Sequence, residues 1–170
     1  LERYEFSAPP EVSYLTASEN QIYLIDDHHS NRRYVIRINS GRLAYHNAEQ
    51  IHSEMMWLDA LGTDTDLIVP KVLAAKDGSW VQELRLPGKD QPSYAVVYSF
   101  LDGVEPPEDE LVGGVERLGT NSAQMHSHAK RWMPPSEFTR PTWTPEAILT
   151  DQLTWGNWQE GVNINAEALN

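Results

Sequence analysis

The stretch RYVIRI at residues 33–38 decides the fold, because it has the alternating pattern of a β-strand. Side chains two residues apart lie on the same face of a strand. Arg33, Val35 and Arg37 are therefore predicted to share one face, and the three residues between and after them the other. An apolar run at residues 21–25 (QIYLI) precedes the stretch across a polar turn at residues 26–31. The two runs together predict a β-hairpin.

Three more runs predict strands. Residues 71–75 and 79–84 flank Lys76-Asp77-Gly78, where Gly78 suits the positive φ of a tight turn, so they predict a second hairpin. Residues 94–100 (YAVVYSF) form an unbroken apolar run, which is typical of a strand buried on both faces. The five runs predict a mostly antiparallel sheet.

A helix is predicted between the two hairpins. Asn47 is a candidate N-cap with Gln50 as the second half of a capping box, and Gly62 is a candidate stop. Apolar residues recur between them at helical spacing. These are Ala48, Ile51, Met55, Leu58 and Leu61. One helix on a five-stranded sheet is a small α+β lobe.

Glu54 borders the apolar stripe of this helix, and Arg37 lies on a strand of the predicted sheet. Taken alone, each residue is most simply interpreted as a solvent-exposed charged side chain. A helix packed on the sheet would instead bring Glu54 against Arg37, and a strand cation held by a helix carboxylate is a device for presenting that cation to phosphate. We expect a close ion pair facing a cleft.

The second part of the chain is predicted to be helical. Residues 102–108 (DGVEPPE) read as a linker, and a helix ending near Trp132 follows it. One face of this helix is predicted to carry Val115, Leu118, Ser122, Met125 and Ala129. A further helix is predicted over residues 145–159, and Asn165 is a candidate cap of another.

Composition excludes several classes of function. The 170 residues carry a net charge of −12, so phosphate backbones and anionic membrane surfaces are poor partners. The chain has no cysteine, no apolar run long enough to span a membrane and no signal-peptide pattern, and we expect a cytoplasmic location. The glycine-rich phosphate loops, the zinc-protease motif and the serine-hydrolase elbow are absent. Histidine spacing gives no metal site.

Two short segments could contact a ligand. The turn Ser18-Glu19-Asn20-Gln21 is either an ordinary loop or a flap that offers backbone N–H groups and the Ser18 hydroxyl to phosphate. Ser99 and Leu101 lie where the buried strand leaves the sheet, so their backbone groups need a new partner. Water or the edge of an adenine would serve.

The order of these parts resembles the amino-terminal lobe of a kinase. The sequence is similar to the aminoglycoside phosphotransferase-like superfamily, and most similar to its branch with the type II homoserine kinases and a bacterial stress-response kinase. The matching stretches cover nearly the whole chain. They are residues 18–23, 34–38, 53–61, 68–70, 97–103, 118–129 and 138–143.

The resemblance implies a protein-kinase-like fold and an ATP site. Residues 1–98 would form the amino-terminal lobe, residues 99–109 the hinge, and residues 110–170 the start of a truncated helical second lobe. Arg37 would replace the usual phosphate-binding lysine, with Glu54 as its partner. The remaining ATP-binding residues implied are Ser18, Asn20, Ser99 and Leu101.

The family's catalytic loop, H-x-D-x-x-x-x-N, is missing, because no histidine here is followed two residues later by aspartate. No catalytic residue or metal ligand is therefore expected in this span, and the ligands of Mg²⁺ are expected downstream. The implied activity of the longer protein is transfer of the γ-phosphate of ATP to a hydroxyl. The acceptor would be a homoserine- or aminoglycoside-like small molecule or a protein Ser/Thr. We expect no meaningful turnover from this span alone.

Two alternatives stay open from the sequence. The chain could be a non-catalytic kinase-like interaction module, or a sugar-binding domain that stacks on exposed tryptophans. The tryptophans concerned are Trp132, Trp143, Trp155 and Trp158. If the helices after Gly103 leave their apolar residues exposed, a homo-oligomer is expected to cover them.

Overall fold

The computed structural model describes residues 1–6, 8–39 and 47–146. The predicted helix over 145–159 lies outside them apart from its first two residues, and so does the predicted cap at Asn165. In chain order the elements are β1 (Glu11–Ala17), β2 (Asn20–Asp27), β3 (Arg32–Asn39), α1 (Ala48–Asp64), β4 (Val72–Leu73), β5 (Gln82–Leu84), β6 (Ser93–Ser99), a 3₁₀ turn (Glu108–Glu110) and α2 (Leu111–Arg131).

The sheet has the order β1-β2-β3-β6-β4, with β5 also paired to β6, and every pairing is antiparallel. The predicted hairpin of β2 and β3 is present, and it aligns Ile22 with Arg37. The strand β1 was not predicted. All seven of its side chains are exposed, so its sequence lacks a buried face, and its pairing with β2 is what defines it.

The second predicted hairpin is wrong in its pairing. The turn forms, with Gly78 at φ 83° and the Ala75 N–H donating to the Ser79 carbonyl at 2.9 Å. The strands on either side do not pair with each other. Both β4 and β5 pair with β6, at Tyr98 and Ser93 respectively among others. The buried β6 needs partners along its whole length, and two short strands supply them.

Helix α1 begins as predicted and ends later. The Asn47 side chain caps it by accepting from the Gln50 N–H at 2.9 Å. The helix passes Gly62 and ends at Asp64, and the N–H of the next residue, Thr65, donates to the Leu61 carbonyl at 3.2 Å. Gly62 has a packing role instead, since a Cβ there would lie 3.0 Å from Val69 Cγ2.

The sheet has one covered face and one half-covered face. Tyr4, Ile25, Ala75 and Val97 form the core of the first, together with residues of the amino-terminal segment. On the second face α1 packs over β6, where its core residues are Ile51, Met55, Val96 and Tyr98.

The β2–β3 half of this second face belongs to neither core cluster among the described residues. Ile22, Leu24, Val35 and Arg37 lie there, half-buried, and we call this surface the cleft face.

Helix α2 meets α1 through a histidine. His128 is buried; the Trp57 indole N–H donates to its Nδ1 at 3.3 Å, and its Nε2 lies 3.0 Å from Asp64 Oδ2. On the shared face predicted for α2, Val115 and Leu118 are 67% and 63% exposed, as expected for apolar residues without a partner surface. The contact with α1 is largely polar, so apolar periodicity does not report it.

The sugar-binding alternative is weakened at Trp132. This side chain is half-buried and packs against His128 and Phe138, so it is part of the structure's interior rather than a stacking platform. Trp143 is exposed. Trp155 and Trp158 lie outside the described residues. Of the helices in residues 1–6, 8–39 and 47–146, none combines the length and hydrophobicity that crossing a bilayer would need.

Candidate functional site

The predicted ion pair between Arg37 and Glu54 is present. Arg37 Nη1 donates to Glu54 Oε1 at 2.7 Å, and the two side chains are only 19% and 31% exposed. Strand pairing aligns Arg37 with Val96, on the face that α1 covers. Glu54 lies beside the buried Met55 of α1, at the border of the covered and open halves of this face.

The rest of the Arg37 guanidinium is unusual. Its Nε and Nη2 are buried and have no hydrogen-bond partner among the described residues. Burial works to lower the pKa of Arg37, but the hydrogen bond with Glu54 and nearby charges outweigh it and raise the pKa, so the group stays charged. An unsatisfied buried donor costs about 1–3 kcal/mol. Two such donors on one cation form a site that an anionic oxygen would complete.

Tyr98 lies under this cation, and sequence reasoning did not single it out. The Arg37 Cζ is 5.5 Å from the centroid of its ring. Burial raises the pKa of Tyr98, so its phenol is neutral. The hydroxyl is buried without a partner among the described residues. The strand pattern could have found it, because Tyr98 sits on the same predicted strand as Ser99, one residue before the hinge.

The cleft face changes from apolar to polar along its length. Three cross-strand pairs follow each other away from the hinge: Leu24 with Val35, Ile22 with Arg37, and Asn20 with Asn39. The hinge end is fixed by the pairing of Tyr34 with Ser99. An elongated ligand with a flat apolar group at one end and anionic groups further along would match this order.

The β1–β2 turn carries Ser18 and Asn20. The structure places Asn20 on the cleft face, two residues from Ile22, and leaves Ser18 exposed at the tip. The Ser18 N–H donates to the Asn20 carbonyl at 3.1 Å. The expectation that this turn offers its backbone N–H groups is therefore wrong for Ser18, whose N–H already closes the turn.

The expectation that the backbone groups of Ser99 at the predicted hinge lack a partner is wrong for its N–H. The Ser99 N–H has a partner, the Lys71 carbonyl at 2.8 Å, so it is not left open as the sequence suggested. In a regular antiparallel pair the Lys71 N–H would return to the Ser99 carbonyl. Here it donates to the Ser99 hydroxyl at 2.9 Å. The Lys71 N–H is therefore bonded to the hydroxyl rather than to the carbonyl of Ser99, and the exposed Leu101 follows two residues later.

Arg140 is a second cation at Glu54 that sequence reasoning missed. Its Nη1 lies 3.6 Å from Glu54 Oε2 and donates to the Gln50 carbonyl at 3.1 Å. The residue lies in a stretch that resembles the family, but nothing local in the sequence links it to Glu54. Its position depends on how the segment after α2 folds back.

Metal ligands are not grouped in the part of the chain that the structure describes, where no three His, Asp or Glu side chains lie together as a candidate site. His28, on the exposed β2–β3 turn, contacts two carboxylates, Glu11 of β1 at 3.0 Å and Asp26 of β2 at 3.2 Å. That arrangement raises the pKa of His28, mainly through the hydrogen bond with Glu11.

Comparison with known proteins bears on the fold and the family of the chain. The chain is similar to the solved structure of a microcompartment-associated aminopropanol kinase, with 32% identity and a TM-score of 0.80 over 98% of this chain and 50% of that one. The fold also matches amicoumacin kinase hAmiN, solved with AMP-PNP, Ca²⁺ and Ami, with 23% identity and a TM-score of 0.69 over 84% of this chain and 42% of that one. The chain thus spans half or less of the length of either protein.

No curated protein sequence matches the chain closely enough to count as a relative. The model of the phosphotransferase enzyme family matches residues 14–165, which is most of the chain. The kinase-like amino-terminal lobe and the resemblance to aminoglycoside phosphotransferase-like kinases are confirmed by these matches. The chain belongs to the phosphotransferase enzyme family.

Proposed function

We propose that the cleft face binds ATP and that the whole protein transfers the γ-phosphate of ATP to a hydroxyl group. One observation carries the proposal. Arg37 holds two buried donor nitrogens without a partner among the described residues, next to an apolar surface that ends at the hinge. Phosphate oxygens would satisfy the donors, and arginine's planar fork suits them.

Each part of the cleft has a proposed role. Leu24 and Val35 cover the adenine, while the Ser99 carbonyl and the Leu101 N–H contact its edge. Asn20 and Ser18 lie over the phosphates, and Glu54 holds Arg37 in place. The support for these roles is the order of apolar and polar pairs along β2 and β3, together with the Lys71 N–H bonding the Ser99 hydroxyl rather than the Ser99 carbonyl.

The proposed acceptor is a small amino alcohol. The support is the 32% identity to an aminopropanol kinase over nearly all of this chain. Mg²⁺ is proposed to accompany ATP and would neutralise phosphate charge when bound. Because the 170 residues contain no H-x-D, we propose that they hold nucleotide but have no meaningful turnover alone.

The location and assembly are also proposals. A cytoplasmic location fits the ATP requirement. Self-association through α2 is supported by its exposed apolar side chains, which are Leu111, Val112, Val115 and Leu118.

The experiment is a calorimetric titration of the chain with ATP, ADP, AMP and adenosine in the presence of Mg²⁺. We expect affinity to rise with the number of phosphates, because Arg37 binds phosphate and not adenine. Equal affinities for ATP and adenosine, or no ATP binding, would refute the proposal. The acceptor is tested by ADP-release assays with 1-amino-2-propanol, homoserine, an aminoglycoside and a serine peptide, on the longest protein that the gene encodes.

A further inference from the structure

The two carboxylate oxygens of Glu54 have different partners. Oε1 accepts from Arg37 Nη1 at 2.7 Å, and Oε2 lies 3.6 Å from Arg140 Nη1. Arg140 is held from a second side, since it also donates to the Gln50 carbonyl at 3.1 Å. Glu54 is therefore shared between a strand cation and a cation from the segment after α2.

The segment that carries Arg140 is tied to α1 by a partly buried hydrogen bond. The Thr139 N–H donates to Ser53 Oγ at 2.9 Å, and Ser53 is 1% exposed. The same hydroxyl donates to the Glu49 carbonyl at 2.9 Å, so both of its roles are fixed. The backbone beside Arg140 is thus held on α1, and its guanidinium is held near Glu54 by the bond to the Gln50 carbonyl.

This arrangement controls how Glu54 meets Arg37. An arginine and a carboxylate ordinarily prefer two parallel hydrogen bonds. If both Glu54 oxygens turned to Arg37, they would occupy a second guanidinium nitrogen. With Oε2 drawn to Arg140, Glu54 holds Arg37 through Nη1, and Nε and Nη2 keep no partner among the described residues.

We propose that Arg140 is a positioning residue, which acts through Glu54 to keep two donor nitrogens of Arg37 open for the phosphates of a nucleotide. The inference rests on the proposed function, because it assigns phosphate to those nitrogens. It also links the amino-terminal lobe to the segment beyond the hinge, so that the phosphate site is complete only when that segment is docked on α1.

The first test compares ATP with adenosine in Arg140→Gln. We expect the Kd for ATP to rise about 3–10-fold, the range for one hydrogen bond or ion pair of moderate strength, while adenosine changes less than about twofold. Arg140→Lys restores the charge and should recover most of the ATP affinity. Arg85→Gln is the matched control, because Arg85 also pairs with a glutamate, Glu83 at 3.1 Å, on an exposed strand.

The second test asks whether Arg140 acts through Glu54. In a Glu54→Gln background, Arg140→Gln should cause no further loss of ATP affinity. A loss of the same size in both backgrounds would overturn the proposal, and so would an equal loss for ATP and adenosine, which a merely structural role would give.

Failure of the proposed function is distinguishable from failure of this inference. If the unmodified chain binds no ATP, the proposed function fails. The effect of Arg140 on the contact between Glu54 and Arg37 is then tested through the NMR signal of the Arg37 Nε–H group. Arg140→Gln should shift that signal if Glu54 turns onto Arg37, and an unmoved signal overturns the inference. If Arg37→Gln removes ATP binding but Arg140→Gln does not weaken it, the inference alone is refuted.

Discussion

Replacement of Arg37 by methionine separates a ligand-binding arginine from a structural one. Methionine keeps an unbranched apolar stem, although a shorter one, and removes the charge and the donors. If Arg37 serves mainly to stabilise the fold through Glu54, the variant should unfold easily. If it serves phosphate, the variant should stay folded and lose ATP.

The structure gives the magnitudes. Removing the charge-assisted bond to Glu54 costs about 1.5–3 kcal/mol of unfolding free energy. Nε and Nη2 are buried without described partners, so removing them raises the unfolding free energy by about 1–3 kcal/mol each. Glu54 keeps Arg140 nearby and stays 31% exposed. The two gains together, about 2–6 kcal/mol, offset most or all of the loss, so we expect the unfolding free energy without ligand to fall by no more than about 1 kcal/mol.

The loss of ATP affinity should be much larger. Two charge-assisted hydrogen bonds to phosphate are worth roughly 3–6 kcal/mol together, which corresponds to a Kd increased about 10²–10⁴-fold. Adenosine binding should be unchanged, because Val35 and the hinge are intact.

The assay pairs urea denaturation with calorimetric titration of ATP and adenosine, and Arg85→Met is the control. A destabilisation of more than about 3 kcal/mol would show that Arg37 is chiefly structural. An ATP affinity reduced less than about fivefold would likewise refute the reasoning.

Three further predictions follow from other parts of the molecule. Val35→Asp should weaken ATP and adenosine alike by more than about tenfold, because it places a charge on the apolar part of the cleft face, whereas Val12→Asp on the opposite face should not; titration calorimetry compares them. The raised pKa of His28 predicts a stabilising contribution that is full below about pH 6.5 and is lost as the pH rises through the higher folded-state pKa. NMR titration should show that pKa falling in Glu11→Gln, and an unchanged value would contradict the assigned cause. Sedimentation at micromolar concentration should show self-association that Val115→Glu abolishes; a monomer of unmodified chain would count against it.

Local patterns in the sequence predicted much of the lobe. Strand alternation assigned the two faces of β3, and helical spacing placed Glu54 beside the buried stripe of α1. Those two local facts are sufficient for the Arg37–Glu54 pair once the helix covers the sheet, and the pair is present at 2.7 Å. The β2–β3 hairpin and the buried β6 were predictable for the same reason, since each depends on neighbouring residues.

The sequence by itself determined the buried faces of α1 and β6, and the tertiary structure decided which groups meet there. The Ser99 N–H and hydroxyl are bonded to Lys71, 28 residues away along the chain. The Thr139–Ser53 and Arg140–Gln50 contacts span 86 and 90 residues. Apolar periodicity is a property of one element and reports how much water it loses on folding. A hydrogen bond between distant segments depends on the path of the whole chain, and that path is why Arg140 reaches Glu54.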